Sequence, residues 1–170
     1  MAEEKKTIDE TKHDRFVEHE KGDIVELKRR AAEAAEKTSK LREKHREYIE
    51  KSKEFEAKAL KFEGKADTIE SKSAAYKDKE SEIMEEIKAA KAEGDSIKAG
   101  KLEAKAAKMD TKMAHKEHKA DKKDLKATEL REKAQEYKEK AAEVLEEVKD
   151  AEKEEKEYKS RISKMEGSIH

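Results

Sequence analysis

The chain contains no proline and no cysteine among its 170 residues. Proline removes a backbone donor and clashes inside a helix, so its absence favours uninterrupted helix. Without cysteine there is no disulfide, no thiolate metal ligand and no cysteine nucleophile. The first residues lack the apolar core of a signal peptide, and no apolar run approaches the roughly 18 residues that span a bilayer. We therefore expect a cytoplasmic protein.

Aromatic residues are scarce at 4%, and only 33% of the residues are hydrophobic whereas 51% are charged. This leaves too little apolar material for a thick globular core, so composition permits either a solvated helix assembly or a disordered chain. The formal net charge of −1 gives no overall attraction to a polyanion. Any such binding must come from local segregation of charge.

A seven-residue repeat favours the helix assembly. Starting at Leu27, every seventh residue up to Ala90 is apolar or aromatic, and the parallel series from Ile24 to Ile87 is mostly small. These two series are the d and a positions of a heptad lettered a to g. A second stripe of the same kind, in a different phase, starts at Leu102. Two helices, each with one narrow apolar stripe, are therefore predicted.

The phase breaks at Gly94, where a turn is indicated. Glycine suits the left-handed residue after a helix, and Asp95 or Ser96 can cap the next helix. The predicted fold class is all-α: a long antiparallel two-helix coiled-coil hairpin with a short N-terminal arm. The predicted segments are a flexible or short-helical arm over 1–22, a first helix over 23–93, a turn over 94–96, a second helix over 97–166 and a tail over 167–170.

Folding about residue 94 places large residues opposite small ones, because a packs against d in an antiparallel pair. The predicted apolar layers include Phe55 with Ala134, Ala59 with Leu130, and Phe62 with Ala127. The predicted charge pairs at e positions include Arg42 with Glu152, Glu63 with Arg131, and Lys91 with Glu103. A fold centred near residue 98 fits almost as well, since it pairs Glu80 with Lys116. Antiparallel pairing between two chains uses the same complementarity and stays open.

The g positions of both helices form a row of lysines along one edge of the predicted hairpin. This edge is a candidate anion-binding site comprising Lys51, Lys58, Lys65, Lys72, Lys79, Lys112, Lys119, Lys126, Lys133 and Lys140. Charge along a helix face usually faces solvent, and Glu47, Glu54 and Glu82 lie one turn from lysines that they can neutralise. We favour the solvated interpretation. A nucleic acid or anionic membrane bound along the edge is the alternative, and a parallel dimer is a third.

A weaker candidate site is a metal site at His115, His118 and Asp121, which share one outer helix face with i, i+3 spacing between the histidines. No fourth ligand lies within obvious reach, so we expect no metal. His45 lies in the a series, where we expect it to help set the helix register. Lys116 and Lys123, with Ser73 and Glu80, interrupt the stripe and predict a weak region in the core.

No catalytic motif is present: there is no glycine-rich phosphate loop, nucleophile elbow or metalloprotease helix motif. A two-helix hairpin also offers no concave pocket. We expect no enzyme, no cofactor and no small-molecule substrate. The favoured function is a structural or scaffold protein, a rigid spacer or assembly subunit that contacts a protein partner or itself through helix–helix packing.

Two alternative functions remain: a polyanion-associated coiled coil and a stress-type hydrophilic helical protein. The run 126–147 resembles late-embryogenesis-abundant stress proteins in composition only. Those proteins carry eleven-residue repeats without a regular large and small heptad stripe, and this chain departs from them on both counts.

Overall fold

The computed structural model describes the backbone of residues 2–169 and the side chains of residues 18–168. It contains two helices, α1 (Ala2–Ala92) and α2 (Ser96–Ile169), and the described backbone holds no strand. The helices pack against each other as an all-α helical hairpin, which confirms the predicted fold class. No helix in the described part of the chain is long and apolar enough to cross a membrane.

Both helices are rich in alanine, lysine and glutamate, which are strong helix formers. Oppositely charged side chains one turn apart add to their stability. Examples are Glu36 with Lys40 at 2.8 Å and Glu155 with Lys159 at 2.7 Å. Each such pair contributes only about 0.2–0.5 kcal/mol, so the tertiary packing of the apolar stripe is still needed.

The turn between the helices depends on Gly94, whose φ of 77° lies in the left-handed region that favours glycine. The Gly94 N–H donates to the Lys91 carbonyl at 3.2 Å, and the Asp95 N–H donates to the Ala90 carbonyl at 3.0 Å. This is a Schellman arrangement, which satisfies the last carbonyls of α1. Asp95 caps α2, because its Oδ1 accepts the Lys98 N–H at 3.1 Å. Residues 93–95 form the turn, one residue earlier than predicted.

The start of α1 differs from the sequence-based expectation. The helix begins at Ala2 and continues through Gly22, so no helix boundary separates residue 22 from residue 23. Asp23 lies within the helix, and its Oδ2 pairs with His19 Nδ1, one turn earlier, at 3.2 Å. An exposed helical glycine costs only about 1 kcal/mol, which the flanking turns outweigh. A separate role for residues 1–22 stays a prediction, and the side chains of residues 1–17 lie outside the described part.

The end of α2 also differs from the prediction, since the helix continues to Ile169 instead of ending at residue 166. The chain divides into two compact units. We call Lys51–Tyr137 the turn unit, and Met1–Glu50 together with Lys138–His170 the end unit.

The core of the turn unit consists of small residues packed against large ones. Ala59, Ala127 and Leu130 form one buried cluster, against which Phe55 and Phe62 pack. A second cluster contains Ile83, Ile87 and Ala106, with Leu102 and Met109 packed against it. The predicted layers around Ala59 and Phe62 are therefore confirmed. Ala59 and Ala66 are 0% exposed, and side chains this small allow the helices to approach closely.

Polar contacts fix the register of the turn unit. Arg131 donates two hydrogen bonds to Glu63, at 2.7 and 2.9 Å, and Lys91 pairs with Glu103 at 3.0 Å. The buried Ser52 hydroxyl donates to the Ala134 carbonyl across the helices at 3.0 Å. These contacts match the fold centred near residue 94 and exclude the fold centred near residue 98.

The end unit has the same register and a similar core. Its buried residues include Ile24, Ala31, Ala34, Thr38, Ala141, Val144, Val148 and Ala151. Arg42 pairs with Glu152 as predicted, and Lys28 pairs with Glu166 at 2.7 Å. The Thr38 hydroxyl is buried but donates to the Ala34 carbonyl one turn earlier, so its hydrogen bond stays within α1.

We expect spin labels placed at Phe55 and Ala134 to lie within about 15 Å of each other, because packed helices are 8–10 Å apart. A single continuous helix would separate these sites by about 120 Å. Pulsed electron paramagnetic resonance measures the distance. Dilution of labelled chains with unlabelled chains should leave the short distance unchanged; its loss would show that the pairing is between chains.

Candidate anion-binding edge

Lysines from both helices meet over the same aromatic rings in the turn unit. Lys58 of α1 and Lys133 of α2 lie 5.5 and 5.9 Å from the centre of the Phe55 ring. Lys65 of α1 and Lys123 of α2 lie 5.1 and 5.4 Å from the Phe62 ring centre. Because a ring on one helix is covered by lysines of both helices, the two lysine rows share one edge.

The same arrangement recurs at Tyr76, whose ring centre lies 5.8 Å from Lys79 and 5.7 Å from Lys116. At Tyr137 one lysine, Lys51 of the facing helix, lies 5.5 Å from the ring centre. Tyr137 itself stacks on Phe55, with ring centres 5.6 Å apart and an interplanar angle of 13°. An ammonium over an aromatic face contributes about 0.5–1 kcal/mol at an exposed site. The lysines of this edge therefore take part in the packing.

Lys116 and Lys123 occupy d positions, where we expected them to weaken the core, and both are half-buried over rings of α1. Their aliphatic stems can cover apolar surface while the ammonium group stays near water. A lysine at a d position that faces an aromatic residue was the sequence signal for these contacts. The weak region stays a prediction.

The ten predicted edge residues differ in their surroundings. Five contact aromatic rings: Lys51, Lys58, Lys65, Lys79 and Lys133. Lys126 lies 3.7 Å from the Glu129 carboxylate, and Lys140 belongs to the end unit. Lys72, Lys112 and Lys119 are exposed and show neither a ring contact nor an ion pair with a described side chain. An anion could reach these three without displacing an internal contact.

Three carboxylates in the described part of the chain illustrate how neighbouring groups alter pKa values. The Arg131 guanidinium, which donates hydrogen bonds to Glu63, lowers the pKa of that carboxyl group. Hydrogen bonds from Arg29 and Arg30 lower the pKa of Glu26 to about 2. The opposite occurs at Glu80, where a hydrogen bond to the Asp110 carboxyl group and partial burial raise the pKa. Glu80 is therefore the unfavourable acidic group of the stripe, and it faces another acid instead of Lys116.

The weak metal candidates are not brought together. His115, His118 and Asp121 are exposed, and no group of three or more histidine, aspartate or glutamate side chains within residues 18–168 could hold a metal ion. His45 is half-buried and borders a groove of about 260 Å³ with Arg42, Arg46, Leu145 and Val148. Its role in setting the register stays a prediction.

Sequence reasoning missed a larger groove of about 510 Å³ in the end unit. Its walls contain Leu27 and Met165 together with Arg30, Arg161 and Lys164. Arg30 is already paired with Glu26 at 3.1 Å, which limits the positive charge available there. The groove is formed by two d residues that are far apart in the sequence, together with their neighbours. Its prediction would have required the alignment of the two helices.

Comparison with protein-family models, with curated proteins and with solved structures finds no match to this chain. Any functional proposal must therefore rest on the geometry and chemistry of the chain itself.

The contacts of Lys116 and Lys123 with aromatic rings can be tested by changing both residues to glutamine. We expect the free energy of unfolding to fall by about 1–2 kcal/mol, because two cation–π contacts are lost and helix propensity is retained. Urea denaturation measures the change. The matched control is Lys119→Gln with Lys122→Gln, which removes the same charge without a ring contact and should shift stability by less than about 0.5 kcal/mol. Equal changes in both variants would contradict a role for the rings.

Glu80→Gln should raise the melting temperature at pH 7 by about 1–2 °C, because it removes one carboxylate of a like-charged pair. The folded-state pKa of Glu80 is raised, so the ionised form destabilises the fold and the cost disappears as pH falls through that pKa. The difference from the parent should therefore vanish below about pH 4.5, as circular dichroism melts would show. Glu82→Gln, an exposed control with the same charge change, should give no increase at pH 7.

Proposed function

We propose that this protein is a structural coiled-coil protein that acts as a rigid spacer or assembly subunit through helix–helix contacts. The observation that carries the proposal is the use of the apolar stripe. In each unit most of the small residues of the a and d series are buried, and most of the large ones are partly buried, in the pairing of α1 with α2. The a and d side chains, which in another fold could line a substrate cavity, are therefore engaged in holding the two helices in one register.

Specific polar contacts support a role that needs a defined geometry. The bidentate Arg131–Glu63 pair and the buried Ser52 hydrogen bond both require one alignment of the helices. A chain selected only for hydrophilicity would not need such contacts, so the stress-type function is less favoured. Under this proposal no catalytic activity is assigned, and the cytoplasmic location stays a prediction.

A protein partner or a second copy could use the large apolar side chains that remain outside the stripe. These exposed residues are Val25, Leu60, Met84, Ile97, Leu125 and Leu145. They are single side chains on several helix faces, which suits contacts along a helix better than one deep docking pocket.

The spacer role can be tested by deleting one matched heptad from each helix. Removal of residues 38–44 and 145–151 takes out facing segments of the end unit, and the two segments carry opposite net charges. Both stripes stay in phase, so the variant should fold and melt cooperatively while the paired helices become about 10 Å shorter. If the protein acts as a spacer, the shortened variant should only partly rescue the phenotype caused by loss of the gene in the source organism.

The control for this deletion removes residues 38–44 alone, which leaves the helices out of register and should lower the melting temperature strongly. Full rescue by the matched deletion would show that length is not what the protein supplies. The spacer role would then be rejected even though the fold is intact.

A further inference from the structure

In one region of the turn unit, nearly all the positive charge lies on one edge. Between residues 58–79 of α1 and 101–126 of α2, the c, d and g positions contain no acidic residue. They contain five lysines of α1 and nine of α2, which we call the lysine strip. Its members are Lys58, Lys61, Lys65, Lys72, Lys79, Lys101, Lys105, Lys108, Lys112, Lys116, Lys119, Lys122, Lys123 and Lys126. Glu54, Glu82 and Glu129 occupy the next c positions and bound the strip.

All but one of the acidic residues of the same region occupy the opposite edge, and the exception, Asp78, lies at an f position. The b and e positions of the region hold eight acids and a single base, Lys77. The acids are Glu63, Asp67, Glu70, Glu103, Asp110, Glu117, Asp121 and Asp124. The near-zero net charge of the whole chain therefore conceals a local separation of charge. A partner that meets only the lysine strip encounters a strongly positive surface.

The charge of the strip is largely uncompensated within the protein. Among the described side chains, Lys126 is the one strip residue with a carboxylate within ion-pairing distance, Glu129 at 3.7 Å. Lys58, Lys65, Lys79, Lys116 and Lys123 contact aromatic rings, which orient the ammonium groups but leave their charge in place. Of the glutamates expected to compensate the lysines, Glu82 lies one turn from Lys79 without forming an ion pair with it, and the c positions inside the region carry lysine, histidine, threonine or alanine.

The spacing of the lysines suits a long, regular polyanion. Neighbours within a g row are seven residues apart, which is about 10.5 Å along a helix, and each row extends over roughly 30 Å. Duplex nucleic acid presents one phosphate charge per about 1.7 Å of its axis. A duplex lying along the strip could therefore contact several lysines of both rows at the same time.

The chemistry of the strip favours contacts with duplex phosphates over other modes of binding. The aromatic rings are covered by lysines, so they offer no free faces on which unpaired bases could stack. The strip has no arginine, the residue best suited to bidentate contacts with guanine. None of the six large exposed apolar residues lies at a strip position, so nothing there could insert into a bilayer.

We propose that the lysine strip binds duplex nucleic acid through the phosphate backbone, independently of base sequence. This inference does not rest on the spacer role. The matched deletion of residues 38–44 and 145–151 lies in the end unit and leaves the lysine strip unchanged, so the two proposals can fail independently.

Binding can be measured by fluorescence anisotropy with the full chain and a labelled DNA duplex of 24 base pairs. We expect micromolar affinity at about 100 mM NaCl, equal for two unrelated sequences, and falling steeply between 50 and 200 mM NaCl because counterions are released. The test variant carries Lys72→Gln, Lys112→Gln, Lys119→Gln and Lys122→Gln, which are exposed and make no ring contact. It should lose at least about tenfold in affinity at 50 mM NaCl, and its salt slope should fall by about 3 to 4.

The matched control changes Lys53, Lys88, Lys153 and Lys156 to glutamine, four exposed lysines outside the strip. It should keep the parent affinity within about twofold, and circular dichroism should show equal helicity in all three proteins. Equal losses in the two variants would overturn the proposal, because only total charge would then matter. It would also be overturned by binding to vesicles of phosphatidylserine and phosphatidylcholine without duplex binding, or by salt-sensitive self-association in sedimentation without duplex binding.

Discussion

The close packing of small residues against large ones is the interaction on which the rest of this structure depends. A pair of helices has a core only one layer of side chains thick, and a third of the residues are hydrophobic. Ala59 can be completely buried because Leu130 fills the space on the facing helix, and Ala127 is covered in the same way by Phe62. Because protein interiors tolerate neither voids nor overpacking, this packing favours one alignment, and that alignment places the polar contacts.

The polar contacts act within this constraint. An exposed ion pair such as Lys91 with Glu103 contributes only about 0–1 kcal/mol, so it adds little to the stability that the apolar packing supplies. The lysines over Phe55, Phe62 and Tyr76 have a different role, which is to cover aromatic rings. Two helices cannot fully enclose an aromatic ring, and the ring is instead covered by long side chains whose charged ends remain hydrated.

Much of the fold follows from sequence because its determinants are periodic or local. The phase break located the turn at Gly94, and the e positions identified the pairs Arg42–Glu152 and Glu63–Arg131. The helix continues through residue 22 because an exposed helical glycine costs only about 1 kcal/mol, which the helical preference of the residues around it outweighs. The choice between two registers depended on three-dimensional contacts such as Ser52 with Ala134, which a one-dimensional charge pattern does not contain.

The heptad pattern identified each lysine of the edge, but it did not identify the aromatic rings that these lysines contact. Lys123 looked like a defect because the stripe was considered one helix at a time, whereas its partner Phe62 belongs to the other helix. Likewise, the absence of acids from the c positions of the lysine strip is informative only when the lysine rows of α1 and α2 are known to share an edge. Sequence thus supplied the members of the site, and the register supplied their arrangement.

The tight turn at Gly94 has a consequence for how the chain reaches its native state. Lys91 and Glu103 are close in sequence, so their pairing closes a short loop, and each successive layer of the turn unit extends a structure already begun. The entropy of loop closure is thereby spread over many small steps instead of being required at once. Folding should therefore nucleate at the turn and proceed along the helices like a zipper, with the speed typical of chains whose contacts can form in sequence order.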